Sequence, residues 1–213
     1  FVGGDTVAGM LAARLDRQES SALLVDIGTN GEIVLAHNGA FFAASTAAGP
    51  AFEGARIACG MRGTHGAIEK VVFEDDVRLE VIGDGAPAGL CGSGLIDLVA
   101  GLLDHGIVSP EGRMLPPGEL PAALAPALAA RVRTDADGAV FFHLAGAAGA
   151  ASPPVVLTQR DVREVQLGSG AVRAGIALLL RLAGLTAADL GTVLIAGGFG
   201  NFIRRSSAQR IGL

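Results

Sequence analysis

An α/β fold is predicted by three observations. Residues 22–27, 32–37 and 40–44 are short runs rich in strand formers; a glycine-rich turn joins the first two and Asn38-Gly39 the last two, so they read as an antiparallel meander. Residues 92–105 and 158–183 carry apolar side chains at helical spacing. Residues 192–196 form a further apolar run, read as a buried strand, which ends directly in Gly197-Gly198-Phe199-Gly200. Strands and helices thus mix along one chain.

In order along the chain, residues 4–16 predict a helix with Asp5 as N-cap and Val7, Met10, Leu11 and Leu15 on its apolar face. The meander follows. Residues 67–73 and 77–82 are two more strand-like runs, with Asp75-Asp76 as the turn between them. The helix at 92–105 places Leu95, Ile96, Val99, Leu102 and Leu103 on one face and stops at Gly106. Residues 109–137 are rich in Pro and Ala and predict only a short helix near 120–132; the whole stretch near 109–150 reads as a peripheral insertion. After a strand end at 155–157, Thr158 with Asp161 three residues on forms a capping box for a helix that runs to about Ala183, where Gly184 ends it.

Composition excludes several classes. Half of the 213 residues are apolar and 17% are charged, which supports a large core and excludes disorder. The net charge is −5 and no basic tract occurs, so nucleic acid is not expected as a partner. Two stretches without formal charge, 33–52 and 138–159, are broken by Pro, Gly and His, and neither predicts a membrane span. No signal peptide is read at the N-terminus, and the chain begins at Phe1 without Met, so a single lobe over 1–213 cut from a larger protein is expected. Cys59 and Cys91 are the only cysteines, with no metal-binding spacing; a zinc or iron–sulfur site is not expected, and the chain reads as cytoplasmic.

Three glycine-rich motifs carry the chemistry. Asp26-Ile27-Gly28-Thr29-Asn30-Gly31-Glu32 lies between two strands, where glycines let the backbone turn tightly, successive N–H groups form an anion-binding concavity, and Asp26 can hold a metal-bound water. A plain hairpin explains the same residues equally well. Gly197-Gly198 puts bare backbone at the carboxyl end of a strand, where open α/β sheets bind ligands, or serves only a strand-to-helix connection. Gly89-Leu90-Cys91-Gly92-Ser93-Gly94 opens a helix, either as an anion site or as a cap with glycine for close packing; it is no nucleophile elbow. Glu53 reads as a loop residue beside a cleft, the four histidines share no ligand spacing, and Arg204-Arg205 would touch phosphate or start a solvated helix.

The order of these motifs resembles the second half of the acetate and sugar kinase/Hsc70/actin superfamily. LLVDIGTNGEIVL, STAAGPAFEGA, CGSGLIDLVAGLL, TQRDVREVQ and LIAGGFGNFI, in this order, resemble the carboxy-terminal domain of the reductive activators of corrinoid proteins, ferredoxin-like iron–sulfur proteins with an ATP-binding domain. The resemblance implies a ribonuclease-H-like (actin/Hsc70-type) lobe, a mixed sheet flanked by helices. It implies ATP/ADP with Mg²⁺ as cofactor: Asp26, Gly28, Thr29, Asn30, Gly31 and Glu32 at the phosphates, Gly197, Gly198 and Gly200 at the adenosine, Gly92, Ser93 and Gly94 at the helix start. Glu164 would approach the nucleoside, in competition with Arg160, Asp161 and Arg163. The family reduces cob(II)alamin to cob(I)alamin in the corrinoid protein of a methyltransferase, with an iron–sulfur cluster held in a domain absent here; neither electron transfer nor ATP hydrolysis is expected of this chain alone. Two other readings stand beside it. One is a non-catalytic module for homodimerisation or corrinoid-protein docking with a vestigial cleft. The other is half of a small-molecule kinase.

Overall fold

Asn38 and Gly39 both take positive φ, 49° and 74°, the geometry of a tight type I′ hairpin whose twist matches the strands it joins. This fixes the register of the first sheet. In the computed structural model, which describes residues 2–146, 153–198 and 200–213, the chain divides into two compact units. The first holds residues 1–49 and 167–201, the second 50–166 and 202–212. Phe199 and the end of the 109–150 stretch lie outside the described residues.

In the first unit, β1 (Ser21–Ile27), β2 (Gly31–His37) and β3 (Ala40–Thr46) form the expected meander. β10 (Leu190–Ala196) adds in parallel to β1, giving the order β10-β1-β2-β3. Alternation sorts the side chains. Ala22, Leu24, Val34 and Ala36 point to one face, where Leu15 and the inner residues Met10 and Ala13 cover them. Ile33 points to the other, against Gly175 of α4 (Gln159–Ala183). Leu23, Ile33 and Leu35 are fully buried, each contributing about 1.5–3 kcal/mol of transfer free energy.

Two expectations are corrected here. The first helix, α1, spans Gly4–Ala12 and not 4–16, because Arg14 takes a left-handed φ of 49° and a 3-10 turn over Leu15–Arg17 follows. Its N-cap is Gly3; Asp5 sits inside the first turn. Its inner stripe is Thr6, Gly9, Met10 and Ala13, so Val7 and Leu11 of the predicted apolar face are 47% and 70% exposed. Likewise β10 is not a buried strand. It lies at the sheet edge, and Val193 and Ile195 on one of its faces are exposed.

α4 begins as expected: Thr158 and Asp161 exchange side-chain and backbone hydrogen bonds of 2.8–3.2 Å, and Gly184 ends the helix with φ 71°. By length and composition this helix is apolar enough to cross a membrane. Here Val172 and Gly175 instead lie against Gly31, Thr46 and Ile33 of the sheet.

The second unit contains two small sheets. β4 (Ala67–Phe73), β5 (Val77–Val81) and β6 (Gly89–Leu90) are ordered β5-β4-β6. α2 (Gly92–Asp104) lies on β4 through Gly94 and Gly101: a Cβ at Gly94 would stand 2.2 Å from the Ile68 carbonyl oxygen, and one at Gly101 2.1 Å from the Phe73 ring. Asp97, 3% exposed on α2, accepts from Arg204 Nε at 2.8 Å and Ser207 Oγ at 2.7 Å, fastening α5 (Arg205–Ile211). Arg204 therefore serves an internal ion pair. Residues 109–146 are more ordered than their composition suggests. α3 (Pro126–Arg131) is the short helix, and β7 (Val132–Thr134), β8 (Val140–Ala145) and β9 (Val155–Thr158) form an antiparallel sheet. The Asp135 carboxylate holds its first turn by accepting from the N–H groups of Asp137 and Ala139 at 2.9 and 2.8 Å.

Candidate functional site

The first unit brings the hairpin and the Gly197 loop together. β1 and β10 run in parallel with Asp26 opposite Ala196, so the strand ends carry the two glycine-rich turns side by side. Gly197 has φ 103°, and a Cβ there would meet the Ile27 carbonyl oxygen at 2.7 Å and Asp26 Oδ1 at 2.9 Å. Only glycine fits, because the loop backbone rests on the Asp26 carboxylate. Gly200 N–H donates to the Gly197 carbonyl at 3.1 Å and closes the turn. Gly198 is exposed, and among the described residues nothing beyond its chain neighbours lies within 4 Å of an added Cβ, so its backbone is open on the side a flat ligand would approach.

On the hairpin, Thr29 and Asn30 are exposed at the tip. Gly28 N–H is already committed to the Asn30 carbonyl at 3.0 Å, and the Thr29 carbonyl accepts from Gly49 N–H at 2.9 Å. The turn is thus internally braced and presents its tip. Gly31 has a different place. It is buried, and a Cβ there would meet Thr46 Oγ1 at 2.7 Å and Val172 at 3.0 Å, so packing alone requires glycine. Glu32 pairs across from Asp26, and its Oε1 accepts from Ser45 Oγ at 3.2 Å. Burial, and then the Asp5 carboxylate, push the Asp26 carboxyl above the usual carboxylate range.

Gly92, Ser93, Gly94 and Glu164 belong to the second unit. The first three are buried. Ser93 Oγ donates to the Glu69 carbonyl at 2.8 Å, and Gly94 gives the close approach to Ile68, so packing accounts for this helix start without a ligand. Asp161, a competitor for the Glu164 role, is 1% exposed and spends its carboxylate on Ala58 N–H and on the Thr158 box. Glu164 is half-buried one turn into α4; Arg160 and Arg163 are exposed and line a groove of about 730 Å³ with Arg113 and Val140. Asp5 itself is exposed in the first turn of α1.

A meander with a parallel fourth strand, an aspartate hairpin and a strand-Gly-Gly loop beside it define a lobe of the acetate and sugar kinase/Hsc70/actin (ASKHA) type, a fold that binds nucleotides. The chain belongs to the family described as the C-terminal domain of RACo, the ASKHA domain, which matches residues 20–213. It is 40% identical over 215 residues to the corrinoid activation enzyme RamQ of Eubacterium limosum, covering 100% of this chain and 35% of that protein. It is 27% identical over 234 residues to the [Co(II) methylated amine-specific corrinoid protein] reductase of Methanosarcina barkeri, covering 99% of this chain and 38% of the relative. A solved reductive activator for corrinoid, iron-sulfur protein superposes with a TM-score of 0.84 at 35% identity, over 98% of this chain and 32% of that one. The chain thus spans about a third of the length of the proteins it matches.

Proposed function

We propose that this chain is the ATP-binding domain of a reductive activator that returns an inactive cob(II)alamin in a corrinoid protein to cob(I)alamin. The observation that carries the reading is the contact of Gly197 with Asp26. It sets an open backbone strip, Gly198, beside a partly buried carboxylate at the foot of a glycine-rich turn. A nucleoside fits against the strip. The exposed Thr29-Asn30 tip faces the phosphates, and Asp26 holds the water shell of their Mg²⁺. Bound Mg²⁺ would neutralise phosphate charge; the chain's own part is to bind, orient and brace. Gly31 supports the turn from beneath, and Gly200 fixes the loop.

Cys59 and Cys91 do not fit an iron–sulfur cluster: the Cys59 sulfur accepts from Val156 N–H at 3.4 Å, and Cys91 is buried against the Ile68 carbonyl. In this reading the cluster lies elsewhere in the full-length protein, the corrinoid protein is the macromolecular partner, and the setting is cytoplasmic.

Isothermal titration of the full-length protein with Mg·ATP tests the site. Asp26→Ala is expected to weaken binding at least about tenfold, the loss typical of a residue that orients a metal's ligands, and Gly198→Val to weaken it by filling the strip on which the nucleoside lies, while circular dichroism shows a retained fold. Normal ATP binding by both folded variants overturns the site. Failure of the wild-type protein to bind any nucleotide favours a docking module in its place.

A further inference from the structure

We propose that the groove between the 109–115 loop and the first residues of α4 is a second ligand site, separate from the glycine-rich turns, and that it takes a small organic phosphate: a phosphomonoester dianion held by Arg160 and Arg163, with its apolar body against Ala139 and Val140. The proposal goes beyond the nucleotide reading and does not depend on it.

The groove has the size and lining of a small-molecule site. Its volume is about 730 Å³, within the range of about 300–1,000 Å³ usual for such ligands. Among the described residues, three arginines, Arg113, Arg160 and Arg163, stand against one acid, Glu111, on its walls, and Ala139 and Val140 add apolar surface. This positive lining belongs to a chain whose net charge is −5. Arg113 is paired with Glu119. Arg160 and Arg163 have no salt bridge among the described residues. Arg163 donates only to a neutral group, the Gln166 amide oxygen, at 2.9 Å.

The placement of these two arginines is locally unfavourable. They are three residues apart on α4, so they share one helix face, with Cβ atoms about 5–6 Å apart, and like charges so placed repel. They also stand at the N-terminal end of the helix, where its dipole disfavours cations. Asp161, the acid between them in sequence, is buried and spends its carboxylate on Ala58 N–H and Thr158. An anion between the two guanidinium groups relieves both penalties. Phosphate matches the arginine fork, and a monoester brings a charge of about −1.5 to −2 on one group at pH 7, where a carboxylate brings a single charge.

The groove is also built in advance. Gln159 joins the loop to the helix with both ends of its amide: Nε2 donates to the Gly112 carbonyl at 2.8 Å, and Oε1 accepts from Met114 N–H at 2.7 Å. Gln166 Nε2 donates to the Glu111 carbonyl at 3.1 Å. Gly112, with φ 85°, leaves the space that Gln166 occupies, since a Cβ there would lie 2.1 Å from its Nε2. The residues on both sides of Arg113 are thus pinned to α4, and a ligand has little left to order.

The test is calorimetric titration of the full-length protein with phenyl phosphate, with inorganic phosphate as comparison. Phenyl phosphate is expected to bind saturably, and more tightly than inorganic phosphate because only it carries an apolar body. Arg160→Ala and Arg163→Ala are each expected to weaken it about tenfold or more, the size of one charge-assisted hydrogen bond. Neither variant should melt earlier than the wild type, since both side chains are exposed and repel each other. Saturating Mg·ADP should leave phenyl phosphate bound. No binding of phenyl phosphate, or binding that both alanine variants keep, overturns the site. Inorganic phosphate binding just as tightly overturns the organic ligand. Displacement by Mg·ADP would put the two arginines in the nucleotide cleft, and the second site falls while the nucleotide reading stands.

Discussion

Gly197 and Gly198 are neighbours, yet a methyl group would meet different surroundings at each. At Gly197 the positive φ alone costs a non-glycine residue about 1–3 kcal/mol, and the Asp26 carboxylate and Ile27 carbonyl leave no room for it. Gly197→Ala is expected to lower the melting temperature clearly. Gly198→Ala is expected to leave it unchanged, because among the described residues nothing beyond its chain neighbours lies within 4 Å of an added Cβ; an early melt of Gly198→Ala would remove the open strip from the site. Asp26 makes a pH-dependent prediction. Burial and Asp5 favour its protonated form in the fold. Its contribution to stability is therefore fully present below the unfolded pKa of about 3.9 and is lost as pH rises through the higher folded value. Asp26→Asn, which never ionises, should raise the urea midpoint at pH 7 in metal-free buffer, with the difference shrinking towards pH 3.5. An equal midpoint for the two proteins at pH 7 would show that the carboxylate is not penalised by the fold.

Among the elements, α2 is held on one side by glycine and on the other by charge. Gly94 seats it on β4, and Asp97 ties it to Arg204 and Ser207. Removing one partner of a buried ion pair costs about 3–5 kcal/mol, and Arg204 is partly exposed, so Asp97→Ala is expected near the lower end of that range by urea denaturation. A loss under about 1 kcal/mol would mean that α5 does not depend on the pair. None of this is visible in sequence, because Asp97 and Arg204 lie 107 positions apart. What sequence shows well is local: the Asn38-Gly39 turn, the Thr158–Asp161 box and the Gly106 and Gly184 stops each depend on neighbours within a few residues. The β7–β8 hairpin also had a local sign, Asp137-Gly138 between two β-rich runs, but a three-residue strand is too short for alternation to stand out. The glycine motifs mark tight places without naming the neighbour. Gly31 and Gly94 face packed side chains and backbone, Gly197 faces a carboxylate, and Gly198 faces open space.

For the whole chain, the feature that matters in solution is the apolar edge of the first unit. β10 pairs with β1 and, among the described residues, with no other strand. Val193 is 56% and Ile195 36% exposed on it, and Leu178 and Leu182 of α4 are 52% and 63% exposed. An edge strand with free backbone groups and large apolar side chains is a template for pairing with another chain. The net charge of −5 on 213 residues gives only modest repulsion between copies. The isolated chain is therefore expected to self-associate as concentration rises, with its weight-average mass climbing in sedimentation equilibrium. Val193→Lys places a charge on the edge strand, and Leu182→Gln removes an apolar side chain from the exposed face of α4. Both should shift the association to higher concentration without lowering the melting temperature, since neither side chain is in the core. A wild-type chain that stays monomeric up to millimolar concentration would show that the twist of β10 already protects its edge, and that the exposed leucines are scattered rather than a patch.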